Sequence, residues 1–300
     1  MRSFLENQVK RIVGRFGFEL RPLAPCDLRG KIDHPIAAAY LMGLRPCLVE
    51  VPLSHCRGFN GFPFTPCHPF VRTVRAYTEG RVSTYEGSAL EAYYNHFQPK
   101  HAGDLFALPG PISRLHEVPP FAFVWPWESI SVYDRTHTRS GRMKAENKKR
   151  GAPLPISHGY STYGPVSQQK GTIEFLALAR LADSVRRSGY VRKDQLDDDI
   201  RVVPLIDKIG EVRYLLRWGQ HRAAVLAALG FERIPVVIGP MRLVRADEVD
   251  YWPHVRDELF TRDQALLLFD RIFTGSPAPN AIPPTWLAEA SCREISNSDL

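Results

Sequence analysis

The chain has 300 residues, of which 44% are hydrophobic and 24% charged, as is ordinary for a globular protein with a sizeable core. The formal net charge of +7 favours anionic partners, which are nucleotides, nucleic acid or a lipid surface, and selects none of them. No apolar run approaches the ~20 residues that a membrane-spanning helix needs. The five cysteines, an odd number, are scattered and predict free thiols in a reducing cytoplasm.

The N-terminal segment Met1–Phe18 has apolar residues at helical spacing with basic residues between them. Such a helix can lie on an anionic membrane surface, or it can pack its apolar face on the domain. We favour packing, because one short helix binds a bilayer only marginally. Residues 1–22 also lack the apolar core and cleavage site of a signal peptide. The prediction is a cytoplasmic protein, with weak peripheral contact of residues 1–18 at the inner face of the membrane as the alternative.

Between residues 20 and 120 the pattern predicts a helix at Ile36–Met42, a strand at Cys47–Leu53 and a helix at Ser88–Phe97. The loop His55–Pro69 contains two His-Cys pairs, which is the composition of a zinc site. We favour buried cysteines instead, because the adjacent residues of each pair seldom reach one metal ion together. No metal site is therefore predicted. Basic and tyrosine residues between 72 and 100 suit either a pocket or the core, and the core is favoured.

The Pro-rich run at residues 119–128 predicts a boundary or an extended crossover. Ser129–Tyr133 is predicted as a strand, and the ~35 polar residues from Asp134 are predicted as a binding or lid loop, because idle connections are shorter. Thr172–Ser188 has the clearest amphipathic helical pattern of the chain. These boundaries give three predicted parts, namely an N-terminal extension at 1–120, a central domain at 121–245, and a helix with a loose tail at 246–300.

The central domain is organised around residues 201–240. Its pattern predicts strands at Arg201–Ile206 and Val212–Trp218, a tight turn at Gly219, a helix through Leu229, and a strand at Ile234–Ile238. The resulting fold class is α+β, with a small mixed sheet and flanking helices.

The chemistry of the predicted turn follows from its position at a helix start. The first backbone N–H groups of a helix lack partners and carry partial positive charge, so they attract anions. Gly219 allows a ligand to approach the backbone closely. Gln220 belongs to the same turn, His221 adds a titratable donor, and Arg222 supplies a fork that matches phosphate oxygens. The turn Gly219–Arg222 is therefore a candidate phosphate site.

The segment resembles the ParB/sulfiredoxin-like fold family. That family has a Gly-x-His/Arg-Arg turn between a strand and a helix, then Leu-Gly and a strand entered through Ile/Val-Pro. The matching positions in this sequence are Gly219, His221, Arg222, Leu229, Gly230, Ile234, Pro235 and Val236. The resemblance implies a site for nucleotide phosphates, because ParB clamps bind CTP and because sulfiredoxins and free serine kinases use nucleotides.

Departures from the family pattern reduce the number of reactions that the resemblance implies. Sulfiredoxin has its catalytic cysteine where this chain has Gln220, so the thiol chemistry is not expected here. ParB has a helix-turn-helix region after this domain, and the sequence after Ile238 predicts none, so DNA is not expected as a partner. The acidic residue that the kinases have just before the glycine is also missing, since Arg217 and Trp218 stand there.

Two hypotheses of different classes follow. The first is a kinase-like phosphotransferase or nucleotide hydrolase that uses ATP, ADP or CTP, with or without magnesium, and a small-molecule acceptor. Its base would be Glu128, Asp134 or Glu174, with His221 at the phosphates. The second is a non-catalytic nucleotide- or anion-binding accessory protein. Residues 16–22 resemble the start of some proteins from bacterial surface-polysaccharide gene clusters, and this resemblance implies surface-polysaccharide biosynthesis as its context.

Overall fold

The computed structural model describes residues 24–289 and 292, except 33, 44, 111–112, 193–198 and 240–242. The helix predicted within residues 1–18 therefore lies outside the described residues. The architecture is α+β, as predicted: a mixed sheet with helices packed around it. Within the described residues the strands are β1 (Cys26–Asp27), β2 (Cys47–Pro52), β3 (Cys56–Arg57), β4 (Arg201–Ile206), β5 (Val212–Trp218), β6 (Arg233–Ile238) and β7 (Val244–Arg245).

The sheet order is β1-β2-β6-β4-β5-β3, with β7 paired to β4. The antiparallel pairs are β2 with β6 and β4 with β5, whereas β4 and β6 run parallel to each other. The sheet contains strands from both sides of the boundary predicted near residue 120, because β2 pairs along its whole length with β6. The parallel pairing of β3 with β5 also brings the loop after Cys56 next to the strand that leads to Gly219.

The helices of the described chain are bounded as follows: α1 (Pro35–Met42), α2 (Pro69–Thr78), α3 (Ala89–His96), α4 (Ser113–His116), α5 (Val132–Lys149), α6 (Gln168–Ser188), α7 (Gln220–Ala228), α8 (Pro253–Arg256), α9 (Arg262–Thr274) and α10 (Pro284–Leu287). The α7 helix packs on α2 and α6, and α2 also packs on α3. The buried face of α7 consists of small and aliphatic residues, which lets it lie close to its neighbours.

The prediction for residues 129–133 is wrong. Ser131 caps the N-terminus of α5 by accepting a hydrogen bond from the backbone N–H of Asp134, and α5 occupies much of the segment predicted as a loop. Three residues of α5 are buried, namely Arg135, Met143 and Asn147. Because two of them are polar, the helix has almost no apolar periodicity from which it could be predicted.

The tail after Ser276 is also more ordered than predicted. A 3₁₀ turn at Pro279–Ala281 and the α10 helix follow, and Trp286 is only 4% exposed. The guanidinium of Arg72 lies 5.0 Å from the centre of the Trp286 ring. A disulfide joins Cys67 to Cys292, with their Cα atoms 5.5 Å apart, so the expectation of free thiols is wrong for this pair.

The remaining described cysteines are free thiols, and Cys47 and Cys56 are buried. Burial raises the pKa of Cys56 to about 12, so its thiol is unreactive near neutral pH. Within the described residues, no helix combines the length and apolar character needed to cross a bilayer.

Candidate functional site

The predicted turn joins β5 directly to α7. Gly219 has φ 88° and ψ 21°, which is the left-handed conformation that favours glycine. A Cβ atom on Gly219 would lie 2.9 Å from the Cα atom of Ile200, so a larger residue also meets a steric limit. The sequence folds this way because the glycine allows the abrupt change of direction from strand to helix. The first backbone N–H groups of α7 are thereby presented at the end of β5.

The side chain of Gln220 fastens the turn to a second loop. Its Oε1 accepts a hydrogen bond from the backbone N–H of Phe59 at 3.2 Å, and its Nε2 donates to the carbonyl of Leu216 at 3.1 Å. Gly58 permits this close approach, because a Cβ atom there would lie 2.8 Å from Nε2 of His68 and 3.1 Å from Oε1 of Gln220. Gln220 therefore holds the turn in place through its side-chain amide.

The turn opens into a cavity of about 560 Å³, a volume within the usual range of small-molecule sites. All four residues from Gly219 to Arg222 line it. Among the described lining residues, those with cationic side chains are Arg139, Lys149, Arg150, Arg217 and Arg222. The aromatic ones are Phe59, Phe70, Phe106, Phe121, Phe123, Trp125, Tyr160, Tyr163 and Trp218. Cations and ring faces in one cavity suit a ligand that has both an anionic group and a ring.

Behind the cavity wall, Glu174 is the centre of a buried charge network. Its Oε2 lies 2.7 Å from Nε2 of His221, and its Oε1 accepts hydrogen bonds from Ser161, Arg150 and Lys170. The side chains of Glu174 and Lys170 have no solvent exposure. Lys170 also donates to Oδ1 of Asn147 at 2.6 Å. The network joins the long helices α5 and α6 to the first turn of α7.

The charges of this network set the protonation states. Burial alone would raise the pKa of Glu174, but the positive charge of Arg150, the hydrogen bond from His221 and the charge of Lys170 hold that pKa well below its usual value. Burial and the Arg150 charge lower the pKa of His221, against the effect of Glu174. His221 is therefore neutral near pH 7. Because the carboxylate only accepts, His221 donates through Nε2–H and keeps Nδ1 as an acceptor.

Glu128, predicted as a base, is held in a different network. It forms ion pairs with Arg135 of α5 and Arg217 of β5, and it accepts a hydrogen bond from the backbone N–H of Trp125 at 3.1 Å. Burial would raise the pKa of Glu128, but the charges of Arg217 and Arg135 outweigh it and lower that pKa. Glu128 does not belong to the described lining of the cavity. Its effect on the site is to place Arg217 in the wall.

Asp134, the second predicted base, is exposed in the first turn of α5. Its carboxylate accepts a hydrogen bond from the hydroxyl of Ser131 at 2.9 Å, and an acidic group in this position also interacts favourably with the helix dipole. It lies outside the described lining of the cavity. Of the predicted site residues, the structure brings Glu174 and His221 together at the turn and leaves Glu128 and Asp134 elsewhere.

The tyrosines of α3 support the cavity from behind. The hydroxyl of Tyr93 donates to the carbonyl of Thr162 at 2.8 Å, and that of Tyr94 donates to the carbonyl of Ser161 at 2.7 Å. Both tyrosines are fully buried, so the preference for core packing is correct for them. They hold the loop that carries Tyr160 and Tyr163, whose rings stack 5.3 Å apart at the cavity.

The sequence does not predict the face of α5 that lines the cavity. Arg139, Met143 and Glu146 of α5 and the C-cap residue Arg150 follow each other at intervals of four, three and four residues, which places them on one side of the helix. The spacing is typical of one helix face, but it does not stand out in the sequence because the residues on the other faces are also mostly polar. Arg139 also donates to the hydroxyl of Tyr160 at 3.1 Å, which fixes the helix to the tyrosine loop.

Two residues of the His-Cys pairs are engaged in other bonds. Cys67 is in a disulfide, and His68 is buried with its Nδ1 accepting a hydrogen bond from the backbone N–H of Phe70. In the described part of the chain, no group of three or more His, Cys, Asp or Glu residues is arranged to hold a metal ion. Comparison with known proteins gave no match to this chain among protein-family profiles, curated proteins or solved structures.

Proposed function

We propose that this chain is a divergent ParB/sulfiredoxin-like protein that binds a nucleotide by its phosphates at Gly219–Arg222 and transfers a phosphoryl group to a small acceptor. The observation that carries the proposal is the cavity at the turn, whose described wall combines a helix N-terminus with five cationic side chains. Oriented N–H groups and guanidinium forks are the donors that phosphates require. The aromatic residues of the same cavity offer faces on which a nucleobase can stack.

Phosphoryl transfer needs positive charge around the phosphates and a precise position for the acceptor, and the protein itself does little covalent chemistry. In this proposal the α7 N-terminus and Arg222 hold the phosphates. Arg150 and Arg217 lie in the same wall and neutralise the charge that spreads over the transferring group. His221, kept neutral by burial and the Arg150 charge and oriented by Glu174, offers a hydrogen-bond acceptor at Nδ1 for a ligand hydroxyl or a water molecule.

A second candidate function is nucleotide binding without catalysis. The observation that favours it is that none of the three predicted bases is placed to accept a proton in the cavity. Glu128 and Glu174 are both ion-paired, and Asp134 is exposed away from the cavity. An accessory protein that responds to nucleotide needs the phosphate site but no base. Consumption of nucleotide distinguishes the two functions.

Calorimetric titration with ATP, ADP, CTP and GTP, each with and without magnesium, tests the proposal. We expect at least one nucleotide to bind, and Arg222→Ala to weaken binding by about 10-fold or more, since a hydrogen bond to a charged group contributes about 1.5–3 kcal/mol. Arg256→Ala is the matched control, because Arg256 is exposed and lies outside the cavity. Absence of binding for all four nucleotides would overturn both candidate functions.

A further inference from the structure

Glu146 is the one carboxylate among the described residues that line the cavity. It lies on α5 and is partly buried. Arg150 follows it by four residues, so the two side chains share a helix face and the same cavity wall. Arg150 in turn contacts Glu174, which contacts His221 of the turn Gly219–Arg222. Glu146 is thus an acid placed one helical turn from the network that supports the turn.

The carboxylate of Glu146 differs from the predicted bases in its partners. Glu128 and Glu174 accept hydrogen bonds from cationic side chains, and Asp134 accepts one from Ser131. Glu146, in contrast, makes no side-chain hydrogen bond or salt bridge to any described residue. A partly buried carboxylate without such a partner is costly to keep, because it loses hydration without a compensating bond. Because the Glu146 carboxylate lines the cavity and lacks a hydrogen-bond partner among the described residues, it is suited to accept a hydrogen bond from a ligand.

The electrostatic environment agrees with that role. Burial raises the pKa of Glu146 above the ordinary value for glutamate, although Arg150 and Arg142 act in the opposite direction. A raised pKa makes the carboxylate a stronger base than an exposed glutamate. The low pKa of Glu174 makes that residue the weaker base of the two.

We propose that Glu146 is the general base of the phosphoryl transfer, accepting the proton of a hydroxyl on the acceptor. This inference rests on the proposed function. In the step, the acceptor oxygen forms a bond to the γ-phosphorus of a nucleoside triphosphate. The bond from that phosphorus to the bridging β–γ oxygen breaks, and its electron pair leaves with the nucleoside diphosphate. The hydroxyl proton goes to a carboxylate oxygen of Glu146 and is later released to solvent.

The proposal also accounts for a carboxylate in a wall whose other described charged side chains are cationic. A negative charge close to bound phosphates repels them and lowers the affinity for nucleotide. Removal of that charge has opposite effects on the two steps. Glu146→Gln binds nucleotide as tightly as the wild type or more tightly, but it turns nucleotide over more slowly. A role confined to stability would weaken both.

The test compares the wild type, Glu146→Gln and Glu117→Gln, the last being a control at an exposed glutamate outside the cavity. ATP and CTP are supplied with magnesium, and glycerol or water alone serves as the hydroxyl probe. Calorimetry gives nucleotide affinity, and release of ADP or CDP gives the rate. We expect Glu146→Gln to lower kcat by about 10²-fold or more, which is the usual contribution of a general base, with nucleotide affinity unchanged or higher.

Three results would overturn the assignment. The first is a kcat of Glu146→Gln within threefold of the wild-type value. The second is loss of the magnesium dependence of nucleotide affinity in that variant, because Glu146 would then hold a cation instead of a proton. The third is a wild type that binds nucleotide and consumes none with either probe, which leaves nucleotide binding intact. A wild type that binds no nucleotide contradicts the proposed function itself.

Discussion

The Nε2 atom of His221 lies 2.7 Å from Oε2 of Glu174, a carboxylate with no solvent exposure. These residues are 47 positions apart, and their contact fastens the first turn of α7 to the N-terminal third of the long helix α6. Lys170 and Arg150 share the other carboxylate oxygen. The position of the candidate phosphate site therefore depends on a buried network of ionised groups.

Removal of the central charge of this network should destabilise the fold. Glu174→Gln leaves the fully buried ammonium of Lys170 without its counter-ion, so we expect a loss of about 3–5 kcal/mol in the free energy of unfolding. Urea denaturation of the variant and the wild type measures this. The double variant Lys170→Met/Glu174→Gln should recover part of the loss, because it no longer buries an unpaired charge. A loss below about 1 kcal/mol for Glu174→Gln would contradict the network.

Gly219→Ala should impair both stability and nucleotide binding. The left-handed conformation costs a non-glycine residue about 1–2 kcal/mol, and the contact with Ile200 adds to that cost. Gly239→Ala is the matched control, since a Cβ atom there meets nothing within 4 Å. Thermal denaturation and calorimetric titration with ATP or CTP measure the two effects. Equal melting temperatures and equal nucleotide affinities for the two variants would show that the turn does not require glycine at position 219.

Acid should destabilise the protein through His68 before the carboxylates titrate. Burial and the nearby His221 lower the pKa of His68 to about 3, whereas the unfolded chain titrates near 6.5. As the pH falls below about 6.5, the unfolded state binds a proton that the folded state excludes. The contribution of His68 to the free energy of unfolding should therefore fall by roughly 1.4 kcal/mol for each unit by which the pH is lowered, down to about pH 3.

His68→Asn isolates that contribution, because asparagine also caps the N-terminus of α2. Urea denaturation between pH 5 and 6.5 gives the free energy of unfolding as a function of pH. Its slope should be smaller in the variant than in the wild type, by the equivalent of about one proton taken up on unfolding. His221 contributes in the same direction in both proteins, since burial lowers its pKa as well. Parallel curves for the two proteins would contradict the buried neutral state of His68.

The Cys67–Cys292 disulfide should stabilise the chain measurably. It closes a loop across 225 positions and joins the residue before the α2 cap to the C-terminal segment. Paired Cys67→Ser and Cys292→Ser replacement should lower the free energy of unfolding by about 2–5 kcal/mol. Peptide mapping without reductant should recover the linked peptides. Recovery of Cys67 as a free thiol from unreduced protein would refute the pairing.

The sequence predicted local features well where a pattern repeats or a glycine interrupts it. The strands Arg201–Ile206 and Val212–Trp218 have the predicted bounds, and α7 begins directly after Gly219. The α5 helix was missed because its buried face is largely polar. Contacts over long sequence distances, such as Glu174 with His221, have no local signal. For that reason three carboxylates were predicted as equivalent bases, and Glu146, which lines the cavity, was not among them.

A crystal structure with a non-hydrolysable triphosphate nucleotide tests the central claim most directly. Our account predicts phosphate oxygens within about 2.7–3.2 Å of backbone N–H groups at the start of α7, with Arg222 in contact with the same phosphates. The nucleobase should stack on an aromatic residue of the cavity. Phosphates bound away from Gly219–Arg222, or a nucleotide outside the cavity, would contradict it.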